Sequence, residues 1–223
     1  MIDEFLKTLP LALCAAINPV GILILIAVLV AGTDRIKRSL AFVFGFFVTF
    51  FFIGILLLLA IKEIASTIKI DSAQIMCDFD WAILAAVVIY FGYKLIKKNR
   101  HEEKENIEKQ KNRSEGFGSW LIYGSLYALT DITSLIPYMI LLKDVATTKL
   151  DFLDKSMSIL LTNVVVTIPL ILLPLICVIF PDKSNAILDK LKSALSSHKK
   201  TISIIILIII VVYLLFKISK CLV

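Results

Sequence analysis

Ala128-Leu129-Thr130-Asp131-Ile132-Thr133-Ser134-Leu135-Ile136-Pro137-Tyr138 lies in the middle of an apolar run, Gly116 to Leu142, whose one charged residue is Asp131. Thr130, Asp131, Thr133 and Ser134 are all helix-capping residues, because their short oxygen-bearing side chains bond nearby backbone N–H groups. A run of this length is read as a membrane span, and a cluster of caps at its centre predicts that the span breaks there.

The first apolar run, Leu9 to Ala31, contains a matching interruption in Ala15-Ala16-Ile17-Asn18-Pro19-Val20-Gly21. Asn18 is a strong N-cap and Pro19 suits the first helical position, so the pair can end one half-helix and begin the next. Sliding one half of the chain over the other without gaps pairs Asn18 with Asp131 and Gly21 with Ser134 at a separation of 113 residues, about half the chain. Breaks in hydrocarbon are tolerated only where the backbone is buried in protein or lines a polar cavity, so the pair predicts a central site.

Composition agrees with a membrane setting. Of 223 residues, 59% are hydrophobic and 19% charged, and the mean hydropathy is +0.91. Soluble domains hold roughly 45–50% apolar and about 25% charged residues, so a soluble single domain is excluded. The excess of 24 Lys and Arg over 18 Asp and Glu reads as orienting charge beside apolar segments, and no nucleic-acid partner is expected. The start carries Asp3 and Glu4, and the run that follows is too long for a cleaved signal, so Leu9 to Ala31 is expected to be retained.

Outward from these two runs the pattern predicts an all-α integral membrane protein with six transmembrane helices. The second span is Ser39 to Ile61. The third, Trp81 to Tyr93, is long enough only if Lys94 snorkels and Leu95 and Ile96 are included. The fifth, Ser156 to Phe180, contains Pro169 and Pro174, and the sixth, Thr201 to Phe216, is bracketed by Lys200 and Lys217. Residues 1–96 form a first three-helix repeat, 97–115 a charged cytoplasmic linker and 116–223 a second repeat, with an interfacial amphipathic helix near 184–198 that Ser184 or Asn185 can cap. The loops near 32–38, 94–115 and 181–200 carry twice as many Lys and Arg as the opposite side. Those loops are therefore expected to be cytoplasmic and both termini outside the cell membrane. Three spans per half then make the halves inverted repeats, an arrangement common in secondary transporters.

The expected substrate-binding residues are Asn18, Pro19, Gly21, Thr130, Asp131, Thr133, Ser134, Pro137, Tyr138 and Asn163. Freed helix N-termini suit an anionic head group, which an ionised Asp131 would repel. Asp131 therefore either pairs with a cationic group, takes a proton as a proton carrier, or serves as a cap satisfied by the N–H of Thr133 or Ser134. Asn18-Pro19 reads equally as a plain proline kink. Tyr123, Tyr127, Tyr138 and Asn163 are weaker candidates, since aromatic and amide residues in spans more often pack or hydrogen-bond between helices.

One intramembrane carboxylate is too few for a divalent-ion site, so no metal and no cofactor are expected. No HExxH, Walker loop or Gly-x-Ser-x-Gly elbow is present, and the chain is not expected to be an enzyme. Cys14, Cys77, Cys177 and Cys221 leave open a thiol-disulfide electron carrier like CcdA and DsbD, although the fourth span has no cysteine. Cys14 and Cys177 read as packing residues, and Cys77 and Cys221 share the outer side. Expected partners are membrane lipids and an amphipathic or anionic small molecule, and a homo-oligomer is compatible with the pattern.

Ile17-Asn18-Pro19, the loop Arg35-Ile36-Lys37-Arg38 feeding Ala41 to Gly45, and the stretch Asp131 to Tyr138 together resemble the GAP family of glycolipid-addressing proteins in the LysE exporter superfamily. In the fourth-span pattern Asp-x-Pro-Thr-x-x-Pro-Tyr, this chain keeps Asp131, Pro137 and Tyr138, with Thr133 in place of the first proline and Ser134 in place of the threonine. The resemblance implies a six-span exporter of amphipathic or lipid-linked molecules. Cation and small-metabolite exporters, such as those for amino acids, are more distant relatives and form the alternative.

Overall fold

A computed structural model of the protein describes residues 2–30, 34–67, 80, 81, 83–85, 89, 116–148 and 150–221. Among them the regular structure is entirely helical: α1 (Ile2–Ala16), α2 (Pro19–Val30), α3 (Arg35–Thr67), α4 (Phe117–Thr130), α5 (Ile132–Thr147), α6 (Phe152–Ile179) and α7 (Ser184–Cys221). Arg35–Ile61 and Phe152–Ile179 are each long and apolar enough to cross a bilayer. Two further crossings are each a bent pair, Thr8–Ala16 with Pro19–Val30 at 43° and Phe117–Thr130 with Ile132–Thr147 at 69°. The protein is therefore a helical membrane protein. Most of the expected third span, the linker 97–115 and the loop bearing Cys77 lie outside the described residues.

The expected interfacial helix near 184–198 and the sixth span form one continuous helix, the 38-residue α7. Nothing between Ser184 and Cys221 is a Gly or Pro, so no residue there interrupts the backbone ladder. Its apolar part is Ile204–Ser219.

The long helix of each half lies on the broken pair of the other: α3 packs on α4 and α5, and α6 on α1 and α2. The α3–α4 crossing is the tightest because glycine removes the side chain on both sides. A Cβ built on Gly45 would lie 2.1 Å from the Leu121 carbonyl oxygen, and one on Gly124 would lie 2.1 Å from that of Phe42. Backbones this close exchange van der Waals contact directly, which is how helices associate where lipid supplies no hydrophobic drive. The hydroxyl of Ser125 adds a 3.3 Å hydrogen bond to the Gly45 carbonyl.

Phe42, Phe46 and Phe50 recur every fourth residue, so they form one stripe on α3. The stripe meets Tyr123 and Tyr127 of α4 at one end and Tyr138 of α5 at the other, with ring centroids 4.7–6.2 Å apart. These rings, all buried except the half-buried Tyr123, carry the core past the point where α4 gives way to α5.

Candidate functional site at the paired helix breaks

Asn18 and Pro19 act locally as their chemistry dictates. The Asn18 side-chain oxygen accepts the Gly21 N–H at 2.8 Å, and its backbone carbonyl accepts the Ile22 N–H at 3.0 Å, so Asn18 caps α2 and Pro19 opens it. Gly21 is required beside this cap, since a Cβ there would lie 2.9 Å from Asn18 Nδ2.

The second break turns on one residue. Asp131 donates its N–H to the Tyr127 carbonyl at 2.9 Å, ending α4, and accepts the Leu135 N–H on its own carbonyl at 2.9 Å, starting α5. Its side chain makes no capping bond to α5. The expected cap to Thr133 or Ser134 is absent because the carboxylate is turned to the other break, where Asn18 Nδ2 donates to Asp131 Oδ2 at 2.5 Å. Tyr127, one turn before Asp131, donates its hydroxyl to Asn18 Oδ1 at 2.7 Å. Asn18 is thus the hub: its oxygen takes two donors, its nitrogen serves the carboxylate, and it is 2% exposed against 6% for Asp131.

The remaining expected residues divide. Pro19, Pro137, Ser134, Tyr138 and Asn163 are buried and Thr133 is half-buried. Tyr138 donates its hydroxyl to the Phe50 carbonyl at 3.0 Å, and Asn163 Nδ2 donates to the Phe47 carbonyl at 2.8 Å, so both brace α3. Thr130 is exposed and its hydroxyl turns back on the carbonyls of Leu126 and Tyr127, which separates it from the hub. Tyr127 is the residue whose part the sequence underrated; its spacing of four from Asp131 was the available signal.

The first turn of α5 and the middle of α6 hold unspent hydrogen-bonding capacity. Ser134 Oγ, Thr162 Oγ1 and Asn163 Oδ1 are buried with no hydrogen-bond partner among the described residues. Tyr138 and Ile159 both face Gly54, and Lys155 reaches the Ala146 carbonyl at 2.6 Å, so α5 and α6 run antiparallel. One turn deeper on each helix, Ser134 and Asn163 come to the same level. Pro137 lacks an N–H, so the Thr133 carbonyl has no helical donor, and the first N–H groups of α5 have no carbonyl in their own helix. Buried donors and acceptors without a protein partner can bond water or a polar ligand.

Cys14 and Cys177 are buried free thiols, while the side chains of Cys77 and Cys221 lie outside the described residues. The model of the family described as Sap, sulfolipid-1-addressing protein matches residues 8–217. No curated protein and no solved structure matches the chain significantly.

Proposed function

The chain belongs to the Sap, sulfolipid-1-addressing protein family, and from that premise we propose that it is a transporter that moves an amphipathic, lipid-linked molecule across the membrane. The path runs through the site at the two helix breaks. The observation that carries this reading is the Asn18–Asp131 hydrogen bond, which joins two mid-span interruptions 113 residues apart in a buried polar hub. Interruptions in hydrocarbon are costly, and transporters use them to bring irregular backbone to a substrate at the midplane.

The crossed packing of each long helix on the other half's broken pair supports two inverted three-helix repeats. With the basic loops cytoplasmic, both termini face outward. Asp131 is the group suited to exchange a proton as the path switches sides, because an intramembrane carboxylate is otherwise hard to sustain. The reading extends to export by a LysE-like route, with Ser134, Thr162 and Asn163 meeting the cargo's polar group; their buried oxygens, unpartnered among the described residues, support that part.

Purified protein reconstituted into vesicles with a fluorescent sulfated glycolipid tests the reading by following loss of outer-leaflet fluorescence after a membrane-impermeant quencher. Movement well above that in protein-free vesicles, and reduced by Asn18→Leu, is the expected result. Movement equal to that in protein-free vesicles overturns it.

A further inference from the structure

Two consecutive charged residues sit near the far end of α5. Lys143 is 1% exposed and pairs with Asp80, which is equally buried. Asp144 pairs with Lys217 of α7, and its second oxygen accepts the Tyr213 hydroxyl at 2.7 Å. Successive helical residues point about 100° apart, so one turn of α5 grips two different neighbours. Asp80 Oδ2 is buried and has no hydrogen-bond partner among the described residues. Buried ion pairs are weak sources of stability, and registry or switching is their best-attested use.

The other end of α5 is a sharp break. It meets α4 at the single residue Asp131 with a 69° bend, while α4 is clasped to α3 through Gly45 and Gly124. Lys143 lies about 18 Å along the helix from Asp131, so the bend and the paired charges sit at opposite ends of α5.

We propose that Lys143–Asp80 and Asp144–Lys217 form a latch whose release lets α5 swing about Asp131 and open the polar site toward the end of the bundle where Lys143 lies. This rests on the transport reading for its purpose, but the latch is measurable without cargo. The test uses the full chain in vesicles with Cys14, Cys77, Cys177 and Cys221 replaced by Ala and a reporter Thr133→Cys, labelled by a membrane-impermeant thiol reagent. Lys143→Met with Asp80→Leu removes both charges without stranding either. It is expected to speed labelling at least tenfold. The exchange Lys143→Asp with Asp80→Lys restores the pair and is expected to return labelling to the starting rate, which separates a latch from general loosening. Labelling unchanged by the neutral pair, or left fast by the exchange, overturns the latch. Failure of the unaltered protein to move lipid would instead overturn the transport reading and leave the labelling comparison intact.

Discussion

Gly124 faces Phe42 so closely that a Cβ on the glycine would lie 2.1 Å from the phenylalanine carbonyl oxygen. That atom belongs to backbone and has no rotamer by which to withdraw, so Gly124→Ala must push α4 away from α3. Overpacking of this kind costs about 1–3 kcal/mol. The expected outcome is a lowered unfolding midpoint in detergent, with a larger drop for Gly124→Leu. An alanine variant as stable as the parent would contradict the crossing.

Asn18 combines a local and a long-range duty, and two substitutions separate them. Asn18→Leu removes the cap on Gly21, the acceptor for Tyr127 and the donor to Asp131, and is expected to cost about 1–3 kcal/mol for the buried partners left unpaired. Asn18→Ser keeps a good N-cap but is too short to serve Asp131, so it should recover about 1 kcal/mol of that loss. Lipid movement should fall in both, since both lose the bridge between the breaks. Chemical unfolding and the vesicle assay together check this.

Asp131→Asn keeps the shape and an oxygen that can accept from Asn18, while removing the exchangeable proton. The fold should persist, and transport driven by a proton gradient should fall at least tenfold. Proton-driven transport retained in this variant would assign Asp131 to structure alone.

Replacing all four cysteines by alanine should leave lipid movement close to that of the unaltered chain. Loss of movement with an intact fold would favour thiol chemistry. The buried Cys14 and Cys177 make a modest loss of stability the natural side effect.

The two broken spans were legible because capping is local. Asn18, Pro19 and Gly21 lie within one turn and their chemistry fixes how α2 begins, whatever surrounds it. The direction taken by the Asp131 carboxylate was not legible, since it is decided by a residue 113 positions away that offers a donor. Lys143 illustrates the same limit. By sequence it closes a span and counts as a loop charge, yet in the fold it is buried because Asp80 comes to meet it. Gly45 and Gly124 are plain glycines in apolar runs until the helices cross there. The continuity of α7 was missed for another reason: a change from amphipathic to wholly apolar pattern marks a change of surroundings, while the backbone runs on without a break.

That continuity has a mechanical result. Asn185 contacts Arg35 near one end of α7, and Lys217 contacts Asp144 near the other, about 48 Å away along the helix. A hydrocarbon core is only about 30 Å thick, so the helix between these two contacts is longer than a single crossing needs. A tilt that parts Lys217 from Asp144 must also shift Asn185 against Arg35. Along an unbroken helix the two contacts are mechanically tied.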